Sequence, residues 1–200
     1  MNTIEAIRHR RSIKQYDPNY VMNQEDLNTI LQAAVLAPTS FNIQHWRFVH
    51  VQDQAIRQQL RAAAWDQAQV TDASTLLLVT GDTLSWQESP ERYWANVDQQ
   101  TRETLVTMLQ DFYRDREWLQ RDEVIRSGAM AAQNIMLAAE DLGYQTSPMI
   151  GFDIDKVGEI IRLPENHVIV MMLAIGKGTT QAYPRGGQLP LSEIVIKDQF

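Results

Sequence analysis

The sequence predicts an α+β fold in which a sheet is flanked by helices, and three observations predict it. Segments with apolar residues at helical spacing alternate along the chain with short apolar runs of strand length. The helical pattern over Asp122–Leu142 is rich in Ala and Gly, which suits a slim central helix that other backbones approach closely. The longest unbroken apolar run, Val168–Ile175, suits a buried strand and is far shorter than the ~20 residues that cross a bilayer as a helix.

Taken in order, Thr3–Arg11 predicts a short helix, with Ile4 and Ile7 on one side and basic residues gathering where its dipole favours them. Tyr16-Asp17-Pro18-Asn19 predicts a turn. Asn23 is a good N-cap for a helix that carries Leu27, Ile30, Leu31, Ala34 and Val35 and stops before Pro38. A polar loop, PTSFNIQH, leads into a strand over Trp46–Val51; a helix over Asp53–Ala64 and a buried strand over Thr75–Thr80 follow. The stretch Leu84–Trp118 is polar and aromatic, with helix expected after Pro90. After the long helix, Gly143 supplies the terminator. Then come a short strand near Tyr144–Thr146, a loop SPMIGFD, a helix over Ile154–Ile161, and the strand at Val168–Ile175. The tail from Gly176 holds several glycines and prolines and is expected to be extended.

Two hundred residues suit one domain. With 18 Lys and Arg against 25 Asp and Glu, the net charge of −7 gives no general attraction to nucleic acid. The absence of cysteine rules out a disulfide framework, a thiolate metal site and a catalytic thiol. The start, MNTIEAIRHRRS, has no apolar signal-peptide stretch, so a cytoplasmic location is expected, with no membrane partner. His9, His45, His50 and His167 show no metal-ligand spacing, and no HExxH, P-loop, GxSxG or GxGxxG pattern occurs.

Three segments could carry chemistry. Arg8, Arg10, Arg11, Ser12 and Lys14 combine forked donors, a mobile charge and a hydroxyl, which suits a phosphate monoester; a solvated helix end is the alternative. Thr39, Ser40, Asn42 and Gln44 place hydroxyls and amides where they could meet a heteroaromatic edge, or make an ordinary turn. Ser147–Asp153 runs towards a helix start, and Gly151 permits close backbone approach; Asp153 is an N-cap on either reading.

In order and spacing, HRRSIKQYDP, APTSFNIQHWRF, NIMLAAEDLGYQTSPMIGFD and the ending AIGKG…LP resemble the nitroreductase family of FMN-dependent oxidoreductases over about residues 3 to 196. The resemblance implies one domain over residues 1–200, with a central mixed sheet flanked by helices. It also implies an intertwined homodimer with residues 186–200 on the partner subunit. By the same resemblance, Arg10, Ser12 and Lys14, with Arg11 among them, hold the FMN phosphate and the pyrimidine side of the ring. Pro38, Thr39, Ser40 and Asn42 reach the flavin from the partner; Pro148, Met149, Ile150 and Gly151 lie along it; Lys177 and Arg185 add phosphate contacts. NADH or NADPH is the transient donor, and a nitroaromatic, quinone or enal the small-molecule acceptor, in ping-pong turnover that requires no side-chain acid or base. An FMN store or sensor without turnover is the alternative.

The chain departs from the family pattern in three places. His45 stands where the family usually has Pro. Asp66 and Gln69 stand where some members have Asn and Lys, so that Gln69 is expected to meet the flavin by hydrogen bonding alone, with a relatively low potential. Gln188 replaces the Arg often found before Leu-Pro, with Arg185 as its substitute three residues upstream. Residues 84–118 either cover the site and choose acceptors, or simply pack the helices of an insertion.

Overall fold

Side-chain alternation along one strand decides the layering. In the computed structural model, which describes residues 1–200, β2 (Thr75–Asp82) is buried along its whole length. Leu76 and Leu78 join one hydrophobic cluster, and Leu77 and Val79 the other, as the two-residue period of a strand requires. Helices therefore cover both faces. The Leu76 face packs on α3 (Gln54–Ala63), α4 (Gln69–Asp72) and α7 (Ile154–Ile160), and the Leu77 face on α2 (Gln24–Ala34) and α6 (Glu117–Asp141). Short α1 (Thr3–His9) lies against α6.

The sheet has the order β1-β2-β4-β3, with β1 at Trp46–His50, β3 at Gln145–Met149 and β4 at His167–Gly176. Every pairing is antiparallel, which corrects the expectation of a mixed sheet. The reason lies in the connections: α3 and α4 return the chain from β1 to its neighbour, and α7 returns it from β3 to β4, so each pair closes at one end of the sheet. The sole parallel contact is an isolated bridge between Ser12 and Thr146.

Local chemistry sets most boundaries. Asn23 accepts from Asp26 N, Asp53 from Ala55 and Ile56 N, and Asp153 from Lys156 N, so three helices start at side-chain caps. The long helix begins at Glu117, ahead of its apolar stripe, because buried Gln120 ties the polar first turn back to Tyr113 O. Gly143, at φ 77°, ends it. Ser147, Pro148 and Met149, expected in a loop, are strand; Pro148 is tolerated because β3 is a sheet edge. Arg57, only 3% exposed, donates to the carbonyls of Val51, Ala73 and Ser74 and so stitches the end of β1 to the start of β2.

The insertion resolves into a tight turn at Pro90–Trp94 and α5 (Gln99–Tyr113). Trp86, Tyr93, Leu109 and Tyr113 are buried together against Ile43. Phe112 and Trp118 stay exposed. Past Gly176 the tail is irregular but for one turn, α8 (Leu191–Ile194), and it leaves Leu189, Leu191, Ile194, Val195 and Ile196 uncovered. No helix is long and apolar enough to cross a membrane.

Candidate functional site

The basic segment is strung along the outer edge of β3. The chain leaves α1 at Arg10, Ile13 N donates to Thr146 O at 3.1 Å, and Lys14 Nζ donates to Ser147 Oγ at 3.3 Å. Ser12 and Lys14 are thereby set beside Thr146 and Ser147, and Arg10 precedes them at the end of α1. Arg10 Nη1 is buried with no hydrogen-bond partner. Such an atom costs about 1–3 kcal/mol, so its retention points to a ligand that accepts from it.

Three nearby cations are engaged within the chain. Arg11 donates to Tyr183 O. Arg185 donates to Arg8 O and Arg10 O, satisfying carbonyls at the end of α1. Lys177 donates to Gly143 O at 2.6 Å and stands 4.3 Å over the Tyr144 ring. Lys177 and Arg185, expected as further phosphate contacts, are both held by long-range carbonyls, and no local pattern announces that.

Where β3 ends, the N–H groups of Ile150 and Gly151 find no acceptor in the chain, and the Ile150 side chain is 75% exposed. The turn between α3 and α4 closes on this segment: Asp153 N donates to Ala63 O at 3.0 Å and Gln67 Nε2 to Gly151 O at 2.8 Å. A Cβ on Gly151 would lie 3.2 Å from the Trp65 ring. Gln69, expected to meet a flavin, is 3% exposed and spends its amide hydrogens on Gln67 Oε1 and Met149 Sδ. Those two bonds hold it against this segment.

The 38–44 loop stands apart. Pro38, Thr39, Ser40 and Asn42 precede β1, at the opposite edge of the sheet from β3. Ser147 is level with Leu76 and Trp46 with Gly81, and three strand spacings intervene; at ~4.8 Å between strands and ~3.4 Å per residue, Trp46 and Ser147 lie roughly 20 Å apart. Asn42 Nδ2 donates to Tyr93 O at 2.7 Å, and the Phe41 and Phe112 rings are 5.7 Å apart, so the loop is tied to the insertion.

Left-handed backbone at non-glycine residues gathers in both regions: Phe41, Asn42 and Gln44 in the loop, Trp65 and Asp66 in the turn. Strain of this kind, about 1–3 kcal/mol per residue, concentrates where function over-determines the backbone.

His45 is 1% exposed, its Nδ1 has no partner, and burial pushes its pKa down to about 4 against the smaller opposing effect of Asp82. The unfolded chain takes up this proton near pH 6.5 and the folded chain does not. Stability is therefore whole above pH 6.5 and falls as pH drops towards 4, by up to about 3 kcal/mol. Urea unfolding at pH 7 and pH 5 should show this decline, and His45→Phe should flatten it; an equal slope in both proteins would count against the account.

Comparison with known proteins bears on this arrangement. Residues 7–177 match the model of the nitroreductase family. Protein DrgA of Synechocystis is 44% identical over 98% of this chain and 95% of its own. MhqN of Bacillus subtilis, named as a candidate NAD(P)H nitroreductase, is 35% identical over 94% of this chain and 95% of its own. A candidate nitroreductase from Exiguobacterium sibiricum, solved in complex with FMN, superposes with a TM-score of 0.90 at 29% identity, covering 98% of this chain and 97% of that one.

Proposed function

The chain belongs to the nitroreductase family, and on that premise we propose that it is an FMN-dependent NAD(P)H oxidoreductase, working as a homodimer on small electrophiles in ping-pong turnover. The observation that carries this reading is the buried, unpartnered Nη1 of Arg10, beside Ser12 and Lys14 and on the same sheet edge as the free N–H groups of Ile150 and Gly151. A phosphate accepts from Arg10, Ser12 and Lys14. Electron-rich atoms of a heteroaromatic ring accept from the two backbone N–H groups, and exposed Ile150 offers the ring an apolar face.

Bound FMN supplies the hydride chemistry, taking hydride from NADH or NADPH and passing it to a nitroaromatic, quinone or enal. The protein binds, orients and shields. Pro38, Thr39, Ser40 and Asn42, some 20 Å from this edge within their own chain by the strand geometry, reach the flavin of the partner subunit. The apolar tail, residues 186–200, covers itself on that partner, since Leu189, Leu191 and Ile194 are exposed on their own subunit. Within residues 84–118, Phe112 packs at a tilt against Phe41 and forms a wall that selects acceptors.

The test is the visible spectrum of the purified protein, then anaerobic addition of NADH or NADPH. Flavin bands that bleach within seconds are expected. Bands that bleach slowly with both donors would favour an FMN store or sensor, and a protein that stays colourless after incubation with FMN would defeat the proposal.

A further inference from the structure

The turn between α3 and α4 pays for an unusual backbone with an unusual set of bonds. Trp65 and Asp66 hold φ of 53° and 59°. Asp66 N donates to Arg61 O at 3.0 Å, Arg61 Nε donates to the Asp66 carboxylate at 2.6 Å, and Arg61 Nη1 reaches Thr71 Oγ1 at 3.0 Å. An exposed ion pair alone stabilises little; here it acts with backbone bonds across the same few residues. The result of this geometry is the aim of Gln67.

Gln67 is the middle member of a chain of amides. Its Nε2 donates to Gly151 O at 2.8 Å, and its Oε1 accepts from Gln69 Nε2 at 3.0 Å. Gln69 is fixed in turn by burial and by Met149 Sδ at 3.5 Å. Because the Gln69 donor is pinned, Gln67 can present only its own donor to Gly151, and each bond polarises the next. Phe152 N donates to Ile150 O at 3.1 Å on the other side of the glycine. Both carbonyls that flank the Gly151 Cα are thus held, while the N–H groups of Ile150 and Gly151 stay free.

We infer that Gln67 is a positioning residue: by holding the Gly151 carbonyl it fixes the Ile150 and Gly151 N–H donors against the electron-accepting edge of the isoalloxazine, and so tunes the flavin's reduction potential without a charged side chain. The inference rests on the FMN site proposed above. Fixed donors to a ring carbonyl oxygen, which gains negative charge on reduction, favour the reduced ring over the oxidised one, so loosening them lowers the potential.

The test measures the midpoint potential of the FMN-loaded protein and the FMN affinity of the apoprotein, for wild type, Gln67→Ala and Gln67→Glu. In Gln67→Ala, affinity for reduced relative to oxidised FMN should fall about tenfold, a shift of about 30 mV to lower potential for a two-electron couple. Gln67→Glu should fall further at neutral pH, where a carboxylate faces a carbonyl. It should recover towards wild type as pH is lowered, because the protonated carboxyl again donates to Gly151 O. A merely structural role would not produce that recovery. Potentials within a few mV of wild type in both variants, with FMN still bound, overturn the inference alone; a wild-type chain that binds no FMN overturns the site as well.

Discussion

Replacing Arg10 by alanine should cost the protein most of its FMN while leaving the apoprotein folded. A hydrogen bond to a charged group contributes about 1.5–3 kcal/mol, so the dissociation constant should rise roughly 10- to 100-fold. Adding Lys14→Ala should extend the loss to roughly 10²–10⁴-fold. The apoprotein should behave in the opposite sense. Its Arg10 Nη1 is buried without a partner, and deleting a group in that state removes a penalty. Its thermal midpoint should therefore hold or rise. FMN at 100 times its Kd adds about 2.7 kcal/mol to the wild type, roughly 5–10 °C for a chain of this size. Flavin-fluorescence titration and thermal unfolding with and without FMN check both halves. A variant that keeps the full FMN-induced shift would place the phosphate elsewhere.

The largest loss of stability should follow Arg57→Ala. Three carbonyls, of Val51, Ala73 and Ser74, depend on this one guanidinium, which water reaches over only 3% of the residue's surface. Truncation strands them and leaves a cavity between β1 and β2, which together should cost about 3–5 kcal/mol. Arg57→Met keeps the volume and strands the same carbonyls, so it should recover only the packing share. Denaturant unfolding of the two variants separates the effects; a loss below about 1 kcal/mol for alanine would mean that water satisfies the carbonyls.

Elements that declare themselves locally were legible beforehand. Asn23 followed by Leu27, Ile30, Leu31 and Ala34 carries both a cap and a stripe, and α2 begins and packs accordingly. The Ala and Gly stripe of α6 was equally plain, whereas its first turn, held by the Gln120 bond, was not. Proline disguised the end of β3, because a proline is compatible with a strand only at an edge, and edges are set by the whole sheet. The sense of strand pairing is likewise a property of connections. Arg10, Ser12 and Lys14 were readable as a basic cluster; which of the nearby cations remain unspent was not, since Arg11 and Arg185 are claimed by residues more than 170 positions away. The 65–69 turn is not legible locally because Trp65 carries no signal for left-handed backbone and a single Asp66 is only a weak one, where Gly would be a strong one. Gln67 could have been found only from the fold.

The placement of the two half-sites on opposite sheet edges has a genetic consequence. In the proposed dimer each pocket takes its basic cluster from one polypeptide and its 38–44 loop from the other. A chain crippled at Arg10 and a chain crippled at Asn42 would then complement each other when co-expressed. Their mixed dimer holds one pocket with both lesions and one with neither, so two inactive alleles together regain a functional unit that neither encodes alone.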